Sequence, residues 1–448
     1  MLRNSKVLSF FILLLLSCSS GKKQPELKGE EISRVISKMT DVMVRDITNP
    51  PLAARFFSYS LLSGYEVMSE YDKRLVKMQG RLNDYPAMEH PDSLKPINHQ
   101  LASILAIMET AQRLQPSGKE IEIYKFKFLD SCRSEGWDEE IILNSSGYAN
   151  VISKQILAYA KADRYNKISN LSRYTPQKKE GSWYPTPPAF IAAVEPNFNT
   201  VRPFTLDSAS QFKPVPPADY DSKPGSEFYN LMNAVYTESK KADQEHQAIA
   251  AFWDCNPFMV NDKGHLQYAF KKISPGAHWL GISGIACRKA AMDYSETLQV
   301  LSTVSIGLMD AFMACWDEKY RSNRIRPETV IRKHLDPSWE PLLQTPPFPE
   351  YLSGHSTIST ASAVILTNFF GDNFSYTDSV EIPYGLPARS FRSFKEAAEE
   401  AGVSRFYGGI HYMDAIEQGN IQGARVGEWV IKKIATEKNK NEQASTSN

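Results

Sequence analysis

Apolar residues in this chain recur at steps of three and four far more often than they alternate, and that confines it to a mainly helical fold. In the first long run, Ile32, Val35, Ile36, Met39 and Met43 fall on one face of a helix. Asn49-Pro50-Pro51 stops that run, and a second covers about residues 52–69. Further helical runs lie near residues 99–114, 139–162, 227–252 and 279–294. From Asp293 to about Tyr320, Leu298, Leu301, Ser305, Leu308, Phe312 and Cys315 share one side of another. Strand-like alternation is confined to residues 121–128. The expected fold class is all-α.

The composition changes between Arg173 and Pro224, where prolines are frequent and rings are many: Trp183, Tyr184, Phe190, Phe198, Phe204 and Phe212. A disordered linker is poor in aromatics. This stretch is therefore expected to be an ordered connection clamped to the helices, closing a helical region of residues 31–225 before a second helical region of residues 226–436. The preferred arrangement is one compact unit. No repeat of 20–50 residues points to a solenoid.

Lys+Arg and Asp+Glu number 51 each, so there is no basic footprint for nucleic acid. Residues 1–17 carry Arg3 and Lys6, then an apolar run, then Leu15-Leu16-Ser17 before Cys18. This resembles a bacterial lipoprotein signal peptide. The resemblance implies cleavage before Cys18, lipid on its sulfur and a periplasmic or cell-surface protein that meets the membrane only through the anchor. An ordinary secretory signal would export it equally. Residues 18–30 read as a polar tether and residues 437–448 as a disordered tail. No segment after the leader is expected to be apolar enough to cross a bilayer. Four further cysteines, Cys132, Cys255, Cys287 and Cys315, allow three full disulfide pairings, and none is in CxxC spacing, which argues against a zinc site. Cys315, on an apolar helix face, reads as a buried thiol.

Three segments carry chemistry. Lys319 is followed by Arg326-Pro327; PPFPEYLSGHS leads through Ser353-Gly354-His355 into an apolar helix; and SRFYGGIHYMD holds Arg405, His411 and Asp414. Ser393 and Glu396 fit a capping box, and Gly402 a helix stop, just before Ser404. A helix beginning at Gly354 would aim free N–H groups outward, a seat for an oxyanion. Three cations would offset a tetrahedral oxyanion and the charge that develops on it. One histidine can attack or ligate the central atom while the other moves a proton. Gly408-Gly409 lets the chain pass close to backbone or anion. Asp310 could orient a site cation or be a buried structural partner. His246, His265, His278 and His334 read as structural or surface residues.

These blocks, in this order, resemble the superfamily that unites type 2 phosphatidic acid phosphatases with vanadium-dependent haloperoxidases, and PPFPEY with Trp316 is closest in wording to vanadium chloroperoxidase. The resemblance implies a helical bundle. It implies that Lys319, Arg326 and Arg405 bind the oxygens of vanadate, with Ser353 and the Gly354 amide adding hydrogen bonds. It makes His355 the acid–base residue, His411 the axial vanadium ligand, and Trp316 and Phe348 the lining of the halide side. Lys319 would also polarise the bound oxidant. The family's proline before Ser-Gly-His is Leu352 here. Its aspartate follows the histidine by one residue fewer, as Asp414, which can still share a helical face with His411. The implied activity is halide oxidation by hydrogen peroxide with vanadate as cofactor. Two alternatives stand beside it. One is a phosphatase that holds a phosphoester's phosphate in the same pocket and forms a phosphohistidine at His411. The other is a non-catalytic, ligand-binding helical lipoprotein.

Overall fold

The computed structural model describes residues 25–434 apart from residues 188–189, 242, 259, 264–265 and 270–271. The leader with Cys18, most of the tether, His265 and the tail of residues 437–448 lie outside the described residues. α1 (Gly29–Arg45) starts inside the end of the stretch read as tether, and it buries Ile32, Val35, Ile36, Met39 and Met43 as the spacing requires. Pro50 and Pro51 do more than end α1. They form the first turn of α2 (Pro50–Tyr71), where a missing N–H costs nothing, and the Asn49 side chain caps it by accepting from Leu52 N at 2.9 Å.

α3 (His99–Leu114), α4 (Lys119–Ser134) and α5 (Glu139–Lys161) complete the N-terminal half. The alternating stretch at 121–128 lies in α4: Ile121, Lys125, Leu129 and Cys132 are buried at helical steps, and that face wins over the local alternation. The single helix expected over 227–252 is two, α6 (Glu227–Ser239) and α7 (Gln244–Phe252), because Asp243 starts a new one by accepting from His246 N at 3.0 Å. A hairpin, β1 (Val260–Lys263) with β2 (Leu266–Ala269), precedes α8 (Pro275–Lys289). α8 begins earlier than expected, with Ser274 as cap and Pro275 in its first turn.

α9 (Tyr294–Ser322) is the axis of the molecule. Asp293 and Glu296 form a reciprocal capping box at its start. After α10 (Pro327–His334) come α11 (Gly354–Phe370), the antiparallel pair β3 (Tyr376–Asp378) and β4 (Arg389–Phe391), α12 (Phe394–Tyr407) and α13 (Met413–Ile434). Helices α2, α8, α11 and α13 all pack on α9. Contrary to expectation, α9 has the length and hydropathy of a membrane span, but 94% of its apolar window is buried inside the protein. Its composition reflects a central place in the core.

Contacts of α1 with α8 and of α2 with α9 cross residue 225, and one apolar cluster includes Ile32, Phe57, Leu105, Leu301, Ile365 and Val430. The proline-rich connection lies against these helices: Trp183 N donates to Asn323 O at 2.8 Å and Val194 N to Pro347 O at 3.1 Å. Asp310 takes the structural role of the two left open, accepting from Phe204 N and Thr205 N at 2.7 Å each. All four cysteines are buried free thiols, and Cys315 is buried as expected.

Two packing details position the site. Gly419, Gly423 and Gly427 form a bare stripe where α13 meets α11: a Cβ on Gly423 would lie 2.2 Å from Thr357 O, and one on Gly427 2.9 Å from Ala361 O. The close approach brings the segment before α13, with His411, against the start of α11. Gly402 does not stop α12. It lies mid-helix where a Cβ would meet Ser356 Oγ at 3.2 Å and Ile416 Cγ2 at 3.3 Å, so it is there for packing, and α12 carries Ser404 and Arg405 in its last turn.

Candidate active site

His411 is fixed by an acid that the sequence reading did not single out. Its Nδ1 lies 2.8 Å from Glu350 Oε1, which also accepts from Tyr412 N at 3.0 Å. A carboxylate at Nδ1 places the ring proton there and leaves the lone pair on Nε2, the form a metal ligand needs. Burial, then the Arg326, Lys319, Arg405 and Arg324 cations, hold its pKa well below the usual histidine value, so the ring is neutral. Glu350 is itself held by Arg324, whose Nε donates to Oε2 at 2.6 Å. Asp414, expected near the His411 ring, instead accepts from Arg324 Nη1 and Nη2 at 2.5 and 2.7 Å. Its spacing after the histidine turns it toward the arginine. Glu350 and Arg324 both lie inside the quoted blocks, but no spacing rule pairs residues 26 apart across a loop.

Arg326 is fully buried. Nε donates to Phe348 O at 3.0 Å, Nη1 to Ile410 O at 2.8 Å and also approaches His411 Nε2 at 3.1 Å, while Nη2 has no partner among the described residues. Arg405 Nη1 donates to Trp253 O at 2.9 Å, and among the described residues its carboxylate contact is Asp254 at 3.9 Å and Nε has no partner. His355, in the first turn of α11, hydrogen-bonds the Trp253 backbone, and its Nε2 has no partner among the described residues. Burial first, then Arg405 and His411, hold this ring neutral too. Arg405, His355 and His411 line one small cavity, and Arg326 adjoins it through His411, so these buried donors are gathered where an oxyanion could be bound.

Lys319 departs from the expectation. Its ammonium donates to the Pro349 and Glu350 carbonyls at 3.0 and 3.1 Å and to Leu352 O, so its donors are spent on the lead-in loop rather than presented to the cavity. It lies 5.0 Å from the centre of the Phe348 ring, and burial, with Arg326 and Arg324 adding to it, pushes its pKa down to about 7. Ser353 Oγ caps α11 by accepting from Ser356 N at 3.3 Å. A Cβ on Gly354 would meet the Trp316 ring at an ordinary 3.5 Å, so helix packing does not demand glycine at this lining position. Trp316 and Phe348, with ring centres 4.9 Å apart, line that cavity with Phe312, His355, Arg405 and His411. Gly408 and Gly409 serve backbone approach, not the anion: Gly408 faces Leu343, and Gly409, at φ +76°, faces Trp339 and Pro341. His246 bonds Glu238 at 2.6 Å and His334 bonds Tyr220 at 2.9 Å, away from the site.

Residues 299–439 match the family model described as the VCPO second helical-bundle domain. The crystal structure of the first bacterial vanadium-dependent iodoperoxidase superposes with a TM-score of 0.85 at 43% identity, covering 92% of this chain and 98% of that one. Holo and apo forms of a bacterial vanadium-dependent chloroperoxidase superpose with TM-scores of 0.64 and 0.65 at 13% and 14% identity, each covering 86% of this chain and 93% and 94% of theirs, a likeness of fold. No curated protein matches the chain. A shared fold, 43% identity over nearly the whole length and an oxyanion pocket built on all three sequence blocks place this chain in the vanadium-dependent haloperoxidase family.

Proposed function

We propose that this chain oxidises halide with hydrogen peroxide, iodide first among the halides, at a vanadate held by His411. The observation that carries the reading is the convergence of unpartnered Arg326 Nη2, Arg405 Nε and His355 Nε2 beside a tautomer-fixed His411. The residues fit vanadate: His411 Nε2 would hold the metal, and Arg326, Arg405, the Ser353 hydroxyl and the Gly354 amide its oxygens. Bound vanadate supplies the Lewis acidity that activates peroxide toward halide. The protein's own part is to bind and to move protons. Neutral His355 accepts a proton at Nε2 from incoming hydrogen peroxide. Glu350 keeps the His411 proton on Nδ1. Lys319 stiffens the Pro349–Leu352 turn and adds positive potential from behind it. Trp316, Phe312 and Phe348 keep bulk water off the halide side. The iodoperoxidase at 43% identity supports iodide.

The test offers purified protein loaded with vanadate peroxide plus iodide or bromide, and offers the vanadate-free protein a phosphomonoester. Halide oxidation without phosphoester turnover is expected. The reverse pattern would make the chain a phosphatase. We also propose that the chain is exported and lipid-anchored through Cys18, on the strength of the leader sequence. A Cys18→Ala chain should leave the membrane fraction, and an intact mass without lipid on the native chain would overturn this.

A further inference from the structure

Beside the oxyanion donors, three buried side chains from distant segments close on one point. Cys255 follows α7, His278 lies in the first turn of α8, and Glu381 follows β3, with exposures of 3%, 0% and 5%. His278 Nδ1 is 3.5 Å from Cys255 Sγ and 3.3 Å from Glu381 Oε1, and the sulfur and oxygen are 3.8 Å apart. Zinc bonds of about 2.3 Å to sulfur and about 2.0–2.2 Å to nitrogen and oxygen, at tetrahedral angles, set donor separations of roughly 3.3–3.6 Å. The triangle is already close to those lengths.

The support around it is also that of a metal ligand. His278 Nε2 lies 2.8 Å from Asp378 Oδ2, the carboxylate–histidine pairing that directs the other ring nitrogen toward a metal. The Trp253 ring stacks on His278 at 4.7 Å and 24°. Thiolate, imidazole and carboxylate together favour zinc over harder ions.

We propose that Cys255, His278 and Glu381 bind one Zn²⁺ ion, with Asp378 orienting the histidine. The absence of CxxC spacing argued against zinc only for a site built from one local stretch; here the fold gathers the donors. The ion is structural support for the reaction site. Cys255 also lines the cavity of His355, Arg405 and His411, and the Trp253 carbonyl two residues earlier accepts from Arg405. Zinc would tie this wall to α8 and to the β3–β4 hairpin.

The test measures metal content, so it stands apart from halide oxidation. The full chain, produced with zinc supplied and then desalted, should carry about one zinc per chain by elemental analysis. Glu381→Gln and Cys255→Ser should lose it, and Asp378→Asn should weaken zinc roughly ten- to hundredfold. Cobalt(II) in place of zinc should give a sulfur-to-cobalt absorption band that Cys255→Ser removes. Wild-type protein that is folded by circular dichroism yet binds no zinc and shows no cobalt band would overturn the proposal, whatever the variants do.

Discussion

Arg55 and Arg405 are both buried, at 6% and 1% exposure, and they serve opposite ends. Arg55 is paired with an acid: Nε and Nη2 donate to Asp163 at 2.7 and 3.2 Å, Nη2 also donates to Ala160 O at 2.9 Å, and Tyr59 donates to the same acid at 3.0 Å. Among the described residues, Arg405 and Arg326 have no carboxylate within hydrogen-bond reach and each keeps an unpartnered nitrogen. Burying a charge without a partner is costly, so the second arrangement lowers the stability of the empty protein until an anion completes it. A buried cation thus declares its purpose by what it leaves unbonded. Arg324, equally buried, sides with Arg55: Glu350 and Asp414 saturate it, and its work is to hold Glu350 against His411.

The largest expected effect tests the pocket itself. His411→Ala should reduce halide oxidation to the level of the vanadate-free chain, in a steady-state assay, while the fold survives by circular dichroism. Next comes the contrast between the arginines. Arg405→Leu should lower kcat by about 10²–10³ and leave the thermal midpoint of the empty protein unchanged or higher. Arg55→Leu should cost about 3–5 kcal/mol of stability by stranding Asp163 yet preserve kcat per folded molecule. Equal loss of stability in both variants would break the comparison. Glu350→Gln should weaken vanadate binding about 10- to 100-fold, read by equilibrium titration, because an amide no longer enforces one tautomer of His411.

A pH effect follows in size. Lys319 is lowered to about 7 from 10.5. Between those values the unfolded chain holds a proton that the empty folded site does not, so the folded state gains from this group as pH rises from about 7 to about 10.5 and is penalised fully below about 7. An anion in the pocket raises that pKa and relieves the penalty. Sulfate, whose charge is constant over this range, should therefore raise the midpoint more at about pH 6 than at about pH 8.5, and Lys319→Met should erase the difference. The smallest effect is Gly354→Ala: the midpoint should move by less than about 0.5 kcal/mol equivalent, while vanadate affinity falls.

Much of this was legible in the chain because it was local. The buried stripe of α1, the apolar side of α9 and the Ser-Gly-His start of α11 are written in neighbouring residues. Arg326, Arg405, His355 and His411 could be gathered from their blocks. What stayed hidden was relational. Glu350 stands in a proline-rich lead-in with no spacing that marks it, and its pairing with His411 spans 61 residues. Lys319 has the right position but is drawn onto carbonyls that only the folded loop supplies. Gly402 resembles a stop signal until α11 is seen against it. Cys255, His278 and Glu381 share no spacing at all.

The stripe of Gly419, Gly423 and Gly427 has a consequence for anyone redesigning this protein. The gap between the two imidazoles is calibrated by carbon atoms that are not there. A methyl at position 419 would act as a shim, prying α13 off α11 close to the chemistry, whereas one at 427 would do so a full two turns away. The bore of the pocket could thus be adjusted in graded steps, from a methyl at 419 that meets Ser353 O at 3.0 Å to one at 427 that meets only Ala361 and Val364.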